Sequence, residues 1–168
     1  MYLYRNLYAR IQTSWNSAGF RCEERNEMRH VILASHGDLA RGMADTVSMI
    51  VGEVSNLSTF VLERDDKDPI SAQVRRELDS YAVEDEVFIC TDMIGSSVNN
   101  DMVALLGDYS NVTLVSGMNL PLVITLATDE GPTSNEELNG IIQMAAGGIK
   151  NCNLVLRAQA ANDEEDDL

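Results

Sequence analysis

His36 is the residue of this sequence best placed to act as a nucleophile. It follows the apolar run from Val31 to Ser35, and Gly37 comes directly after it, before a segment of helical period. A glycine lets the chain turn sharply and leaves the imidazole approachable, and the N–H groups at a helix start attract anions such as phosphate. His30, at the other end of the same run, is expected to be structural or exposed. Position alone leaves a structural role open for His36 as well.

A carboxylate and two hydroxyls follow another apolar run. Asp92 comes directly after residues 86–91, and Ser96 and Ser97 follow it. A carboxylate that accepts from one imidazole nitrogen fixes the tautomer and leaves the other nitrogen free to attack. It also stabilises the positive ring that a phosphoryl transfer creates. The plainer alternative is that Asp92 belongs to a turn and that the serines cap a helix.

The sequence lacks the motifs of nucleotide-dependent and serine-dependent enzymes. It has no phosphate-binding loop of the nucleoside triphosphatase type, no dinucleotide fingerprint and no Gly-x-Ser-x-Gly elbow. A histidine without a nucleotide cradle is better suited to relaying a group than to drawing one from ATP. No pair among Cys22, Cys90 and Cys152 has metal-ligand spacing, so we expect no metal and no cofactor. Cys90 and Cys152 border apolar runs and are expected to be buried.

The elements that must position these residues alternate along the chain after Met28. Apolar runs predict strands at 30–35, 57–62, 86–91, 111–116 and 152–158, and helical periodicity predicts helices at 39–51, 69–80, 96–106, 120–128 and 134–150. Such alternation predicts an α/β fold, a doubly wound, mostly parallel sheet with helices on both faces. Ligand sites of these sheets lie outside the carboxyl ends of the strands, where His36, Asp92 and the loop 116–121 fall.

Composition limits the function classes. Apolar residues make up 45% of the 168 residues, enough for one domain with a sizeable core. The net charge of −15 disfavours nucleic acid and anionic membranes and favours a partner with a basic face, although acidity for solubility alone is the alternative. No apolar run approaches bilayer-spanning length. We therefore expect a soluble, cytoplasmic protein.

The two ends differ from the rest of the chain. Residues 1–27 are aromatic and Arg-bearing without a clean apolar period, and Met28 stands just before the first strand pattern. We interpret 1–27 as an extension upstream of a natural start, with a docked N-terminal helix as the alternative. Residues 28–158 then form the domain, and 159–168 form a solvated acidic tail.

Three motifs together resemble the mannose-family enzyme IIA components of sugar phosphotransferase systems. The motifs are Val31-Ile32-Leu33-Ala34-Ser35-His36-Gly37 with the helix that follows, Thr91-Asp92-Met93-Ile94-Gly95-Ser96-Ser97, and Ser116-Gly117-Met118-Asn119-Leu120-Pro121. Their order and spacing agree with the family from Met28 to about Arg157. Three motifs in order across one fold are far more specific than any one of them.

The resemblance implies a phosphotransferase that acts as a carrier. His36 would accept a phosphoryl group from phospho-HPr and pass it to a IIB protein, which would be a separate chain and would in turn serve the membrane components IIC and IID. Asp92 would orient His36, Ser97 would donate to the phosphoryl group, and Ser96 and Gly37 are further expected phosphate contacts. Family members form homodimers in which the last strand, here 152–158, crosses to pair antiparallel with the partner's sheet.

Two departures and three alternatives accompany the resemblance. Relatives often carry Trp and a Gly-Gly-Ser-Pro run in the second loop, where this chain has Ile94 and Gly95-Ser96-Ser97-Val98. Asp38 lies two residues from His36, where an inward carboxylate would repel phosphate, so we expect Asp38 to cap the first helix. The alternatives are the phosphoryl-donor subunit of a phosphoenolpyruvate-dependent dihydroxyacetone kinase, a regulatory module of the same fold, and a small-molecule binder in which His36 never reacts.

Overall fold

Strands and helices alternate through the chain. The computed structural model describes residues 27–64 and 68–157. The strands are β1 (Arg29–His36), β2 (Leu57–Leu62), β3 (Glu86–Thr91) and β4 (Val112–Ser116), and the helices are α1 (Leu39–Val51), α2 (Ile70–Leu78), α3 (Ser97–Leu105), α4 (Leu120–Thr128) and α5 (Asn135–Gly147). The predicted acidic tail, and all but the last residue of the predicted extension 1–27, lie outside the described residues.

The four strands form one parallel sheet in the order β2-β1-β3-β4. Leu33 of the central strand β1 is paired with Thr59 on one side and with Cys90 on the other. The side chains of β1 and β3 are almost all buried, because helices cover both faces of the sheet, which is why these strands read as continuous apolar runs.

Two apolar clusters, one on each face, make up the core. The first joins β1, β3 and β4 to α1, α4 and α5, and its fully buried members include Leu33, Val47, Val123 and Leu126. The second joins the opposite face to α2 and α3 through Ile32, Ile70, Val74, Val98 and Met102. The predicted doubly wound fold with helices on both faces is therefore confirmed for the four parallel strands.

The order in which strands are added to the parallel sheet reverses between β1 and β3. From β1 the chain passes through α1, on one face, to β2, and from β3 it passes through α3, on the other face, to β4. The loops after the adjacent strands β1 and β3 therefore lead to opposite faces of the sheet and leave a crevice between them at its carboxyl edge. His36 is the last residue of β1, and Asp92 directly follows β3.

The fifth strand expected over 152–158 is absent from the structure, in which residues 152–157 are helical and Ala158 lies outside the described residues. The N–H groups of Leu154 and Val155 donate to the carbonyl of Asn151. A strand needs a sheet edge to satisfy its backbone, whereas a helical turn satisfies its backbone locally, and Asn151 is a residue type that begins helices well.

Candidate functional site

His36 is held by hydrogen bonds at both ring nitrogens. Nδ1 lies 2.7 Å from Oδ2 of Asp92, and Nε2 lies 2.8 Å from Oγ of Ser97. The backbone N–H of His36 also donates to Asp92 Oδ2, at 2.9 Å. The structure thus brings together the three residues that the sequence analysis singled out at the ends of β1 and β3.

The partners of the ring determine its tautomer. An ionised carboxylate can only accept hydrogen bonds, so Nδ1 carries the proton and donates it to Asp92. The lone pair of a neutral ring then lies on Nε2, where the Ser97 hydroxyl donates to it. The His36 side chain is 46% exposed, so the ring is accessible to a reacting group.

Asp92 is stabilised as a carboxylate. Its partial burial would raise the pKa, but the N–H groups of His36 and Met93 and the His36 ring donate to it, and together they hold the pKa of Asp92 below its ordinary value. Asp92 therefore stays ionised next to the ring. A fixed negative charge at Nδ1 favours a ring that becomes positive when Nε2 forms a bond.

The loop after β1 owes its shape to Gly37 and Ser35. Gly37 has φ +52°, in the left-handed region that favours glycine, and its N–H donates to the carbonyl of Leu62 at 3.1 Å. Ser35 accepts from the N–H of Ala40 at 2.8 Å and thereby caps the first turn of α1. The expectation that Asp38 caps this helix is wrong, since its side chain makes no capping bond and pairs with Arg41 at 2.7 Å.

The loop after β3 supplies the remaining contacts. Ser96 is the N-cap of α3 and is buried, and its hydroxyl donates to Oδ1 of Asp92. Ser97 is exposed and faces the ring of His36. The two neighbouring serines, both predicted to contact phosphate, thus have different surroundings, and only Ser97 contacts the imidazole.

The third sequence motif supports the end of β3. The N–H groups of Gly117 and Met118 both donate to the carbonyl of Thr91, each at 2.9 Å. Asn119 then begins α4 by accepting from the N–H of Leu122 at 3.0 Å. This loop fixes the residue just before Asp92 and makes no hydrogen bond to the histidine.

Charged and apolar side chains surround the histidine. A groove beside His36 is lined by Arg41, which pairs with Asp38 and with Glu63 at 3.0 Å. In the loop after β3, Met93 and Ile94 are 62% and 80% exposed. Exposed apolar side chains beside a reactive group are typical of a surface that contacts another protein.

His30 and the two cysteines within the described residues have other surroundings. His30 is buried, lies 3.3 Å from Asp85 and stacks on the ring of Tyr81, so it is structural. Cys90 is buried, which raises the pKa of its thiol to about 12. Cys152 is exposed, contrary to expectation, because it begins the surface helical turn at 152–157.

Two further kinds of site were sought in residues 27–64 and 68–157. No cluster of His, Cys, Asp and Glu side chains in these ranges is arranged to hold a metal ion. In the same ranges, every helix is too short or too polar to span a bilayer.

The fold, with a histidine at the carboxyl edge of a parallel sheet, is that of solved phosphotransferase-system components. The family model described as "PTS system fructose IIA component", of the mannose-type IIA group, matches residues 30–145, and the chain belongs to this family. It is a IIA component of a sugar phosphotransferase system, with the phosphocarrier HPr and a IIB protein as the partners that this family implies.

Individual relatives agree with this assignment. The sorbose-specific EIIA component of Klebsiella pneumoniae is 27% identical over 71% of this chain and 87% of its own length. The fructose-specific EIIA component of Bacillus subtilis is 24% identical over 84% of this chain and 100% of its own. The PTS IIA protein associated with the fucose utilization operon of Streptococcus pneumoniae superimposes with a TM-score of 0.69 at 28% identity, covering 77% and 97% of the two chains. These relatives do not favour the dihydroxyacetone kinase alternative.

Proposed function

We propose that this IIA component carries the phosphoryl group on Nε2 of His36, which it receives from phospho-HPr and passes to a histidine of IIB. One observation carries the proposal: His36 lies between an acceptor at Nδ1 and a hydroxyl at Nε2. The Nδ1–H···Asp92 bond leaves the lone pair on Nε2. The proposed transfer requires no nucleotide or metal from the residues of this site.

Each transfer exchanges one N–P bond for another. The Nε2 lone pair of His36 attacks phosphorus in line with the departing imidazole of phospho-HPr. The N–P bond of phospho-HPr breaks, and its electron pair stays on the departing imidazole nitrogen. Because Nδ1 retains its proton, the phosphorylated ring is positive, and the Asp92 carboxylate stabilises it. The same positive ring is a good leaving group when the phosphoryl group passes on to IIB.

Ser97 has a different role in the proposed mechanism. Before transfer its hydroxyl donates to Nε2 at 2.8 Å, and it must leave that lone pair when phosphorus approaches. From the first turn of α3 it then donates to a phosphoryl oxygen, where the helix start also favours negative charge. Gly37 and Ser96 contribute through the shape of their loops, since the Gly37 N–H is bonded to Leu62 and the Ser96 hydroxyl to Asp92.

Docking of partners completes the site. We assign the exposed Met93 and Ile94 to contacts with HPr and IIB, and positioning by the partner supplies most of the in-line geometry. The net charge of −15 favours partners with a basic face. The relay takes place in the cytoplasm and serves the membrane components IIC and IID through IIB.

Association of two chains is part of the same proposal. Ile149, Leu154 and Leu156 are 82%, 60% and 63% exposed, an apolar surface that a second copy would cover. Pairing of this segment with the partner's β4 requires its backbone to change from helical to extended. Sedimentation equilibrium checks the proposal: the intact chain sediments as a dimer, and Leu154→Asp with Leu156→Asp gives monomers. A monomeric intact chain contradicts it.

Intact mass spectrometry tests the carrier function. The protein is incubated with phosphoenolpyruvate, enzyme I and HPr, beside His36→Ala and the control His30→Gln. We expect one acid-labile phosphoryl group on the unsubstituted protein and on His30→Gln, and none on His36→Ala. No gain in mass with active HPr, or equal gain by His36→Ala, would exclude His36 as the carrier.

A further inference from the structure

The neighbours of the Ser96 hydroxyl determine which hydrogen bond it donates and which it accepts. The residue is 8% exposed, and its Oγ accepts from the N–H of Asn99 at 3.2 Å and lies 3.2 Å from Oδ1 of Asp92. A serine hydroxyl has one proton. Because the Asn99 N–H is a donor and the Asp92 carboxylate only accepts, that proton points at Asp92.

The two oxygens of Asp92 are divided between two tasks. Oδ2 accepts from the backbone N–H and the ring of His36, at 2.9 and 2.7 Å. Oδ1 accepts from the N–H of Met93 at 2.7 Å and from Ser96. The bonds at Oδ1 restrict rotation of the carboxylate about its terminal torsion, which is otherwise soft. This restriction keeps Oδ2 aimed at Nδ1 of the ring.

We propose that Ser96 is a positioning residue for phosphoryl transfer, which acts through Asp92 to hold His36 in the tautomer with its proton on Nδ1. The proposal rests on the carrier function proposed above for the same site. It gives Ser96 a role different from the phosphate contact that the sequence suggests. The exposed Ser97 faces Nε2, whereas the hydroxyl of Ser96 is buried behind the carboxylate.

The loop that carries Ser96 is itself held in place by Asn99. This side chain is 5% exposed; its Oδ1 accepts from the N–H of Gly95, and its Nδ2 donates to Oγ1 of Thr91, both at 3.0 Å. Gly95 has φ +74°, and a glycine by itself restrains the backbone little, because it has no Cβ. Asn99 therefore connects the end of β3 to the first turn of α3 and fixes the loop between Asp92 and Ser96.

Substitution of Ser96 by glycine removes the hydroxyl with little cost to the helix start, because glycine is well tolerated as an N-cap residue. Ser96→Thr keeps the donor and serves as the rescue variant. Ser96→Ala is measured beside Ser96→Gly as a second removal that keeps a β-carbon. Ser134→Gly is the matched control, since Ser134 caps α5 in the same way and has no contact with His36.

The readouts are the His36 tautomer and the transfer kinetics. The tautomer is read from ¹⁵N shifts of histidine-labelled, unphosphorylated protein, and the kinetics from phospho-HPr. We expect the Nε2–H tautomer to rise in Ser96→Gly and Ser96→Ala, and kcat to fall roughly five- to tenfold, the effect of one lost hydrogen bond. The KM for phospho-HPr should stay unchanged. Ser96→Thr should restore both quantities, and Ser134→Gly should match the unsubstituted protein.

Two results would overturn this assignment. The first is an unchanged tautomer and an unchanged rate in both removal variants, and the second is a slower rate with an unchanged tautomer, which would make Ser96 a phosphate contact. Failure of the carrier function is a separate outcome, seen when the unsubstituted protein takes up no phosphoryl group. The tautomer of the unphosphorylated variants then still decides whether Ser96 positions Asp92.

Discussion

Asp92 reaches His36 twice through a single oxygen, accepting from its backbone N–H at 2.9 Å and from its ring Nδ1 at 2.7 Å. The backbone contact ties the carboxylate to the end of β1, and the ring contact sets which nitrogen carries the proton. Rotation of the ring away from Asp92 would break one of the two bonds while the other remains. The two contacts therefore fix the position and the protonation of the imidazole together.

Replacement of Asp92 by asparagine should slow phosphoryl acceptance by about a hundredfold or more, by analogy with neutral replacements of the aspartate that orients a catalytic histidine. The amide lacks the charge that stabilises the positive ring, and it can turn its NH₂ group toward Nδ1 and favour the other tautomer. Single-turnover transfer from phospho-HPr measures the effect. Asp45→Asn, on the exposed side of α1, is the control. A rate for Asp92→Asn within twofold of that control contradicts the role of Asp92.

Replacement of Ser97 by alanine should slow transfer on the order of tenfold to a hundredfold, because the hydroxyl proposed to donate to the transferred group is lost. The KM for phospho-HPr should change little, since the contact is to the phosphoryl group and not to the protein partner. Steady-state relay kinetics separate kcat from KM. Ser110→Ala, exposed in the loop before β4, should behave as the unsubstituted protein. An effect confined to KM would assign Ser97 to docking instead.

Arg29 should matter for stability and not for chemistry. Its side chain is 7% exposed, pairs with Glu86 at 2.7 Å, and donates to the carbonyls of Asp129 and Gly131 and to Thr133. Arg29→Met removes one partner of a buried ion pair, and the free energy of unfolding should fall by about 3 kcal/mol.

Urea unfolding measures this loss against Arg76→Met. Arg76 is 64% exposed and pairs with Asp68 at 2.6 Å, so its removal should cost under about 1 kcal/mol. The rate of phosphoryl acceptance per folded Arg29→Met molecule should match the unsubstituted protein. Equal losses of stability in the two variants would show that the buried network contributes nothing beyond a surface pair.

Acid should weaken the fold partly through Asp85. Burial raises the pKa of Asp85, but the N–H groups of Met28 and Ala82 and the ring of His30 outweigh it and lower the pKa below its ordinary value. A carboxylate with a lowered pKa in the folded state stabilises at a pH above its unfolded pKa of about 4, and that stability disappears as pH falls through the lowered value.

The measurement is urea unfolding of the unsubstituted protein and of Asp85→Asn from pH 7 to pH 3. The difference in the free energy of unfolding between them should be largest near neutral pH and shrink below about pH 4. Asp45→Asn, at an exposed position, corrects for the general effect of removing one acid. A difference that stays constant over the whole range would show that the hydrogen bonds to Asp85 do not depend on its charge.

The sequence predicts the parts of the fold that depend on local pattern. Buried strands such as β3 have an uninterrupted apolar centre, here residues 87–90, and Ser134 with Glu137 predicts the capping box at the start of α5 that the structure contains. The location of the site follows from topology, because parallel strands that end at one edge bring His36 and Asp92 together. The roles of these residues, in contrast, came from three motifs read together.

Other features depend on contacts between distant residues and give no local signal. Arg29 bonds to residues about a hundred positions away, and the buried Asn99 resembles any polar residue of a helix start. Ser35 takes the capping role expected of Asp38. The sharp turn at Gly37 brings the Ser35 hydroxyl to the first turn of α1, where it accepts from the N–H of Ala40. The segment 152–157 is apolar enough for a strand, but it pairs with neither edge of the sheet in the structure and is helical instead.

The most direct test of His36 as the phosphoryl carrier is to identify which ring nitrogen bonds to phosphorus. The protein, labelled with ¹⁵N at histidine, is phosphorylated through enzyme I and HPr, and the ¹⁵N–³¹P coupling is read on the ring nitrogens. The geometry around His36 predicts coupling to Nε2 of His36, with the proton retained on Nδ1. Coupling to Nδ1 of His36, or to either nitrogen of His30, would contradict the assignment of Asp92 as the residue that directs the reaction.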